Sequence, residues 1–130
     1  AGAQEASRKG FDAILTPTSH CYFDYRQAED PAGEPLGFGG VVTLERIYSF
    51  DPLDGIAPED ARHILGVQAN LWTEYISTPE HLEYMLLPRL LALSEVQWCQ
   101  EGQRDPERFL RVLAEHEYPV LDAAGYNYRK

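Results

Sequence analysis

Phe11-Asp12-Ala13-Ile14-Leu15-Thr16-Pro17 and Ile64-Leu65-Gly66-Val67-Gln68-Ala69-Asn70-Leu71-Trp72 are the stretches that decide the fold. Both are short apolar runs with β-branched residues, and the first stops at a proline. They predict two buried strands, one over residues 12–16 and one over 64–72. Around them the pattern is helical or irregular. Ala57-Pro58-Glu59-Asp60 reads as a helix start, with proline in the first turn and acids near the positive end of the dipole, and Gly66 as its end. Ser77-Thr78-Pro79-Glu80 opens a longer helix, with Ser77 as the cap and an acid three residues on. Leu82, Met85, Leu86, Leu90, Leu93 and Val96 then recur at helical spacing as far as Trp98, with a kink expected at Pro88. Asp105-Pro106-Glu107 opens a last helix with Phe109, Leu110, Val112 and Leu113 on its apolar face and Pro119 and Gly125 as its limits.

Between the two strands, residues 26–58 hold Pro31, Gly33, Pro35, Gly37, Gly39, Gly40, Pro52, Gly55 and Pro58. They read as a long irregular connection of the kind that serves a site or packs on a neighbour, with a helical turn over 43–50. The order strand, loop, helix, strand, helix, helix implies an α/β architecture with a parallel sheet covered by helices. Two strands do not make a stable sheet. The chain, which does not begin with Met, therefore reads as the last quarter of something larger.

Composition narrows the function. The 130 residues are 44% apolar and 25% charged, with 11 basic against 21 acidic side chains and a net charge of −10. No basic cluster could neutralise a row of phosphates, which argues against nucleic acid and anionic membrane surfaces as partners. No run of about 18 apolar residues exists to span a bilayer, and Ala1–Gly10 has no signal-peptide core. Cys21 and Cys99 are too few for a disulfide scaffold or a Cys-rich zinc site, and pair only if the fold brings them together.

Chemistry concentrates at the two strand exits, the edge where parallel α/β folds build their sites. Tyr22-Phe23-Asp24 places a phenol and a carboxylate two residues apart, on one side of extended chain. Trp72-Thr73-Glu74 does the same with an indole and a carboxylate. An aromatic face beside hydrogen-bond acceptors suits a sugar, whose C–H face stacks and whose hydroxyls donate. Taken singly, such pairs are commonplace, and Tyr22 alone could be a core residue with a bonded hydroxyl. The other candidates are weaker. His20, His63, His81 and His116 lack metal-ligand spacing. Ser19-His20 lacks a nucleophile elbow, and adjacent strand residues face apart. Gly37-Phe38-Gly39-Gly40 follows no predicted strand, which removes the phosphate-cradle reading. Arg89 and Glu95 read as structural ion pairs or solvated charges.

Four blocks together are similar to the β-N-acetylhexosaminidases of glycoside hydrolase family 20. They are Ile14–Tyr25, Thr43–Pro52, Ile64–Tyr75 and Met85–Glu95, and they occur in the family's order. The resemblance implies a (β/α)8 TIM barrel, with residues 1–130 as its C-terminal segment: about strands seven and eight, the rim loop between them and the closing helices. It implies release of terminal N-acetylglucosamine or N-acetylgalactosamine from glycans by substrate-assisted retaining catalysis, in which the 2-acetamido oxygen attacks the anomeric carbon. Carried over, Tyr22 orients that acetamide, Asp24 binds outer hydroxyls of the terminal sugar, Trp72 lines the pocket and Glu74 grips the C4 and C6 hydroxyls. It implies no cofactor or metal, a glycan substrate, the rest of the barrel as partner, and a periplasmic or extracellular setting. The family's general acid comes from an adjacent Asp-Glu pair. This chain has Glu29-Asp30 and Glu59-Asp60 but no Asp-Glu, so the isolated chain is expected to be inactive. The competing expectation is a non-catalytic acidic α/β module that binds a sugar or a protein.

Overall fold

The computed structural model describes residues 2–100 and 102–130. The first strand, β1 (Ala13–Leu15), follows a short helix, α1 (Gly2–Arg8), and leads into a single helical turn, α2 (Thr18–Cys21). Two short strands come next, β2 (Tyr25–Arg26) and β3 (Phe38–Val41), then α3 (Leu44–Tyr48) and β4 (Ile64–Val67). Four helices complete the chain: α4 (Pro79–Leu86), α5 (Arg89–Trp98), α6 (Pro106–Val112) and α7 (Tyr118–Ala124).

β1 and β4 pair in parallel, with Ala13 opposite Ile64 and Leu15 opposite Val67. The α/β reading and both strands therefore hold, but the strands are not buried on both sides. Ile14 is 54% and Leu65 63% exposed, while Val67 lies in the core. Parallel strands are covered on both faces only where the sheet is complete, and this two-stranded sheet has one bare face.

The core lies on the other face, where Cys21, Phe23, Val42, Ile47, Phe50 and Val67 meet Ala92, Leu93 and Val96 of α5. Met85, Leu93 and Val96 are buried as the helical spacing predicts, whereas Leu82 and Leu90 stay partly exposed. Cys21 and Cys99 are both free thiols.

Several expected boundaries move. The helix expected after Pro58 is only a 3-10 turn, Ala61–His63, and Gly66 sits within β4. The strand takes the residues that the helix needed for a second turn, and nucleating a helix on one turn is unfavourable. Thr78, not Ser77, caps α4, its hydroxyl accepting from the His81 N–H at 3.1 Å. Pro88 splits the long helix into α4 and α5 instead of kinking it, because its ring displaces the backbone hydrogen bond that would continue α4. Asp105 caps α6 as expected, accepting from the Arg108 N–H. Pro119 does not stop the last helix. It falls in the first turn of α7, after a π-helical turn over Leu113–Glu117, and Gly125 ends α7 in the left-handed conformation.

The region read as irregular contains β2 and β3, which pair in parallel, Tyr25 opposite Phe38 and Arg26 opposite Val41. Gly40 has a steric reason: a Cβ there would run into the Tyr25 ring. The loop between these strands is anchored at Glu34, whose side chain is almost fully buried. Its carboxylate accepts from the Gln27 N–H (2.9 Å), the Tyr84 hydroxyl (2.8 Å) and Arg129 Nε (3.3 Å).

Candidate functional site

Both aromatic-x-acid motifs lie beyond the paired strands: α2 separates β1 from Tyr22, and residues 68–71 separate β4 from Trp72. Past Leu15 the ladder continues through the Gln68 N–H donating to the Leu15 carbonyl at 2.9 Å. α2 then loops out, and the chain returns to the β4 extension: the Asn70 N–H donates to the Cys21 carbonyl (2.8 Å) and the Phe23 N–H to the Asn70 carbonyl (2.7 Å). Tyr22 and Asn70 form an isolated parallel bridge. Past that bridge the chain turns at Phe23-Asp24 instead of staying extended as expected, and the Trp72 backbone N–H meets the Asp24 carboxylate. The structure thus brings the two motifs to one edge, which sequence spacing alone could not establish.

The four side chains differ in environment. Asp24 is 5% exposed, Tyr22 half-buried, Trp72 55% exposed and Glu74 exposed. Asp24 Oδ1 is buried and has no hydrogen-bond partner among the described residues. Burial raises the Asp24 pKa above the ordinary carboxylate value. Its own backbone N–H opposes this, the nearby Glu74 carboxylate adds to it, and the Arg89 guanidinium and the Trp72 N–H pull it back. Two carboxylates therefore share one edge, one dry and one wet. The buried one carries an unused acceptor, which costs free energy unless a donor is supplied.

A row of aromatic rings runs on from Tyr22. Its ring lies 6.0 Å from that of Tyr25, Tyr25 lies 6.3 Å from Phe38, and Phe38 meets Tyr75 edge-on at 5.0 Å. Phe38, Gly39 and Gly40 of the glycine-rich stretch thus belong to a strand, β3, beside the site. Sequence reasoning missed Tyr25, Phe38 and Tyr75, because nothing in the sequence showed β2 and β3 pairing.

Two other readings change. Ser19 and His20 do meet, Oγ to Nδ1 at 2.8 Å, because α2 is a helical turn and not a strand. His20 stacks on Phe50, and burial together with Arg46 lowers its pKa. Arg89 is not solvated, and among the described residues it has no direct ion pair: it is fully buried and donates to backbone carbonyls. Glu95 does form an ion pair, with Arg108 at 3.6 Å. Among the described residues no group of three or more His, Cys, Asp or Glu side chains is placed to hold a metal ion.

Residues 1–101 match the family model for the glycosyl hydrolase family 20 catalytic domain. The chain belongs to glycoside hydrolase family 20. A β-hexosaminidase of Porphyromonas gingivalis is 40% identical over 98% of the chain and 16% of its own length. Among solved structures, a family 20 exo-β-N-acetylglucosaminidase from Vibrio harveyi in complex with N-acetylglucosamine superposes with a TM-score of 0.89, at 36% identity, over 99% of this chain and 20% of that one. A mutant Streptomyces plicatus β-hexosaminidase in complex with product GlcNAc gives 0.83 at 33% identity, over 98% and 25%. This family 20 chain thus spans about a sixth to a quarter of the length of these proteins, and it is an α/β segment of the family's TIM barrel.

Proposed function

We propose that residues 1–130 form the C-terminal part of a family 20 catalytic barrel, about strands seven and eight with the closing helices. In this reading the segment supplies the sugar-binding edge of a β-N-acetylhexosaminidase. The parent enzyme removes terminal N-acetylglucosamine or N-acetylgalactosamine by substrate-assisted retaining catalysis. Tyr22 orients the acetamide whose oxygen attacks the anomeric carbon, so its contribution is geometric. Asp24 and Glu74 accept hydrogen bonds from the sugar's outer hydroxyls, and Trp72 offers a stacking face. The general acid belongs to an Asp-Glu pair outside this chain. The isolated segment is therefore inactive, since loss of a general acid alone costs a factor of about 10²–10⁴.

The single observation behind this reading is the buried Asp24 Oδ1, without a hydrogen-bond partner among the described residues, in the turn that follows the Tyr22–Asn70 bridge and close to Trp72 and Glu74. A hydroxyl-rich ligand satisfies such an acceptor, and an apolar ligand does not. An independent binding module is not favoured, because the family's named relatives are β-hexosaminidases and the bare sheet face leaves apolar Ile14 and Leu65 in water. The test is hydrolysis of a chromogenic N-acetylglucosaminide by the full-length protein carrying this segment. Trp72→Ala and Glu74→Ala are each expected to lower kcat/KM by about tenfold or more, on the scale of one lost stacking or charged contact. Full activity in both would refute the site.

A further inference from the structure

Arg89 occupies the first position of α5, directly after Pro88, and is 0% exposed. Its Nε donates to the Met85 carbonyl at 2.9 Å. Nη1 donates to the carbonyls of Tyr25 (2.9 Å) and Val42 (3.0 Å). Nη2 donates to the carbonyls of Phe23 and Met85. All five guanidinium N–H donors are used, and every acceptor is a backbone oxygen. The cation also lies 4.9 Å from the centroid of the Phe23 ring. Two of the four carbonyls belong to the residues on either side of Asp24.

We propose that Arg89 is a positioning residue for the sugar site: by clamping the Phe23 and Tyr25 carbonyls it fixes the peptide plane that enters Asp24 and the one that leaves Tyr25, and so the short backbone segment that carries the Asp24 carboxylate. The inference rests on the hexosaminidase reading and deepens it. The Val42 carbonyl ties the same cation to the end of β3, so one side chain links the Asp24 turn to that strand. Lysine cannot replace it, because three donors on a flexible stem do not span four carbonyls in a planar fork. Its charge also matters. The groups facing it are Glu34, Asp24, Tyr84 and Arg129, and those facing Asp24 are Glu74 and Arg89 itself. Burial pushes the Arg89 pKa down to about 9, which leaves it cationic at neutral pH. It is the cation opposing the burial of Asp24 and the repulsion from Glu74.

The experiment compares Arg89→Lys and Arg89→Met, each with and without Asp24→Asn, in the full-length protein. Hydrolysis of a chromogenic N-acetylglucosaminide is followed from about pH 4 to 8, the range in which carboxyls with raised pKa titrate, alongside thermal unfolding. Arg89→Lys keeps the charge and loses the fork. It is expected to lower kcat/KM by about tenfold or more without moving the acid limb, as a misplaced binding group does. Arg89→Met removes the charge, so Asp24 protonates at higher pH and the acid limb moves up. Asp24→Asn is expected to cost less activity in Arg89→Lys than in the native enzyme. It should also recover part of the Tm lost in Arg89→Met, because it removes a buried charge left unpaired. Additive losses with an unmoved acid limb would overturn the proposal. If Arg89→Met does not fold, additivity in the Arg89→Lys pair overturns it alone. A native enzyme that cleaves no N-acetylhexosaminide sinks the hexosaminidase reading instead. The Tm coupling between positions 24 and 89 then still decides whether Arg89 acts through Asp24.

Discussion

Truncating Asp24 to alanine removes the acceptor on which the sugar-site reading turns. The carboxylate is almost fully buried, and its Oδ1 has no hydrogen-bond partner among the described residues. A sugar hydroxyl reaching it would form a hydrogen bond to an ionised group out of bulk water, worth about 1.5–3 kcal/mol. At 1.36 kcal/mol per decade, losing it corresponds to a fall in kcat/KM of about 10- to 200-fold. Size alone does not prove the contact, since Asp24→Ala also relieves repulsion from Glu74 and removes an anion near Arg89. The decisive assay therefore varies both partners. Native and Asp24→Ala enzymes are assayed on a chromogenic N-acetylglucosaminide and on its 4-deoxy and 6-deoxy analogues. If Asp24 accepts from one of those hydroxyls, the native enzyme loses activity on the matching analogue and the variant loses little more. A loss under threefold on the parent sugar, or the same loss on all three substrates, would refute the reasoning.

Two further outcomes follow from the packing around the site. Gly40→Ala forces a Cβ into the Tyr25 ring, an overpacking expected to cost about 1–3 kcal/mol and to lower Tm. Because the Tyr25 ring neighbours that of Tyr22, activity should fall by more than the unfolded fraction explains. Tyr84 has its pKa pushed up to about 12 by burial and by its hydrogen bond to Glu34. Its contribution to stability is complete below the unfolded tyrosine pKa of about 10 and is lost as pH rises towards 12. Alkaline unfolding followed over that window should show a steeper loss in the native protein than in Tyr84→Phe.

Much of the architecture was legible in the order of residues. The two paired strands, observed over Ala13–Leu15 and Ile64–Val67, the Asp105-Pro106 cap and the burial of Met85, Leu93 and Val96 report local preferences that the fold respects. Errors fell where two local signals competed. Ala57–His63 carried a helix-start signature, but the adjoining strand claimed the residues that a longer helix needed. Ser77 and Thr78 were both competent caps, and backbone geometry chose the second. Pro119 carries a stop signal and a first-turn signal at once, and only the preceding π-helical turn decides between them.

At the site, chain order alone supplied the identity of Tyr22, Asp24, Trp72 and Glu74 and their spacing in pairs, although the turn at Phe23-Asp24 replaces the extended chain on which that spacing was read. It could not say that the pairs meet, since that depends on the parallel register joining Tyr22 to Asn70 across an interval of 48 residues (70 − 22). Nor could it say that Asp24 is dry while Glu74 is wet, or that Arg89 lies inside the protein. An arginine has the same side chain on a surface as in a core. Only the convergence of four backbone carbonyls from α4, β2, the Asp24 turn and the end of β3 makes burial of its charge tolerable.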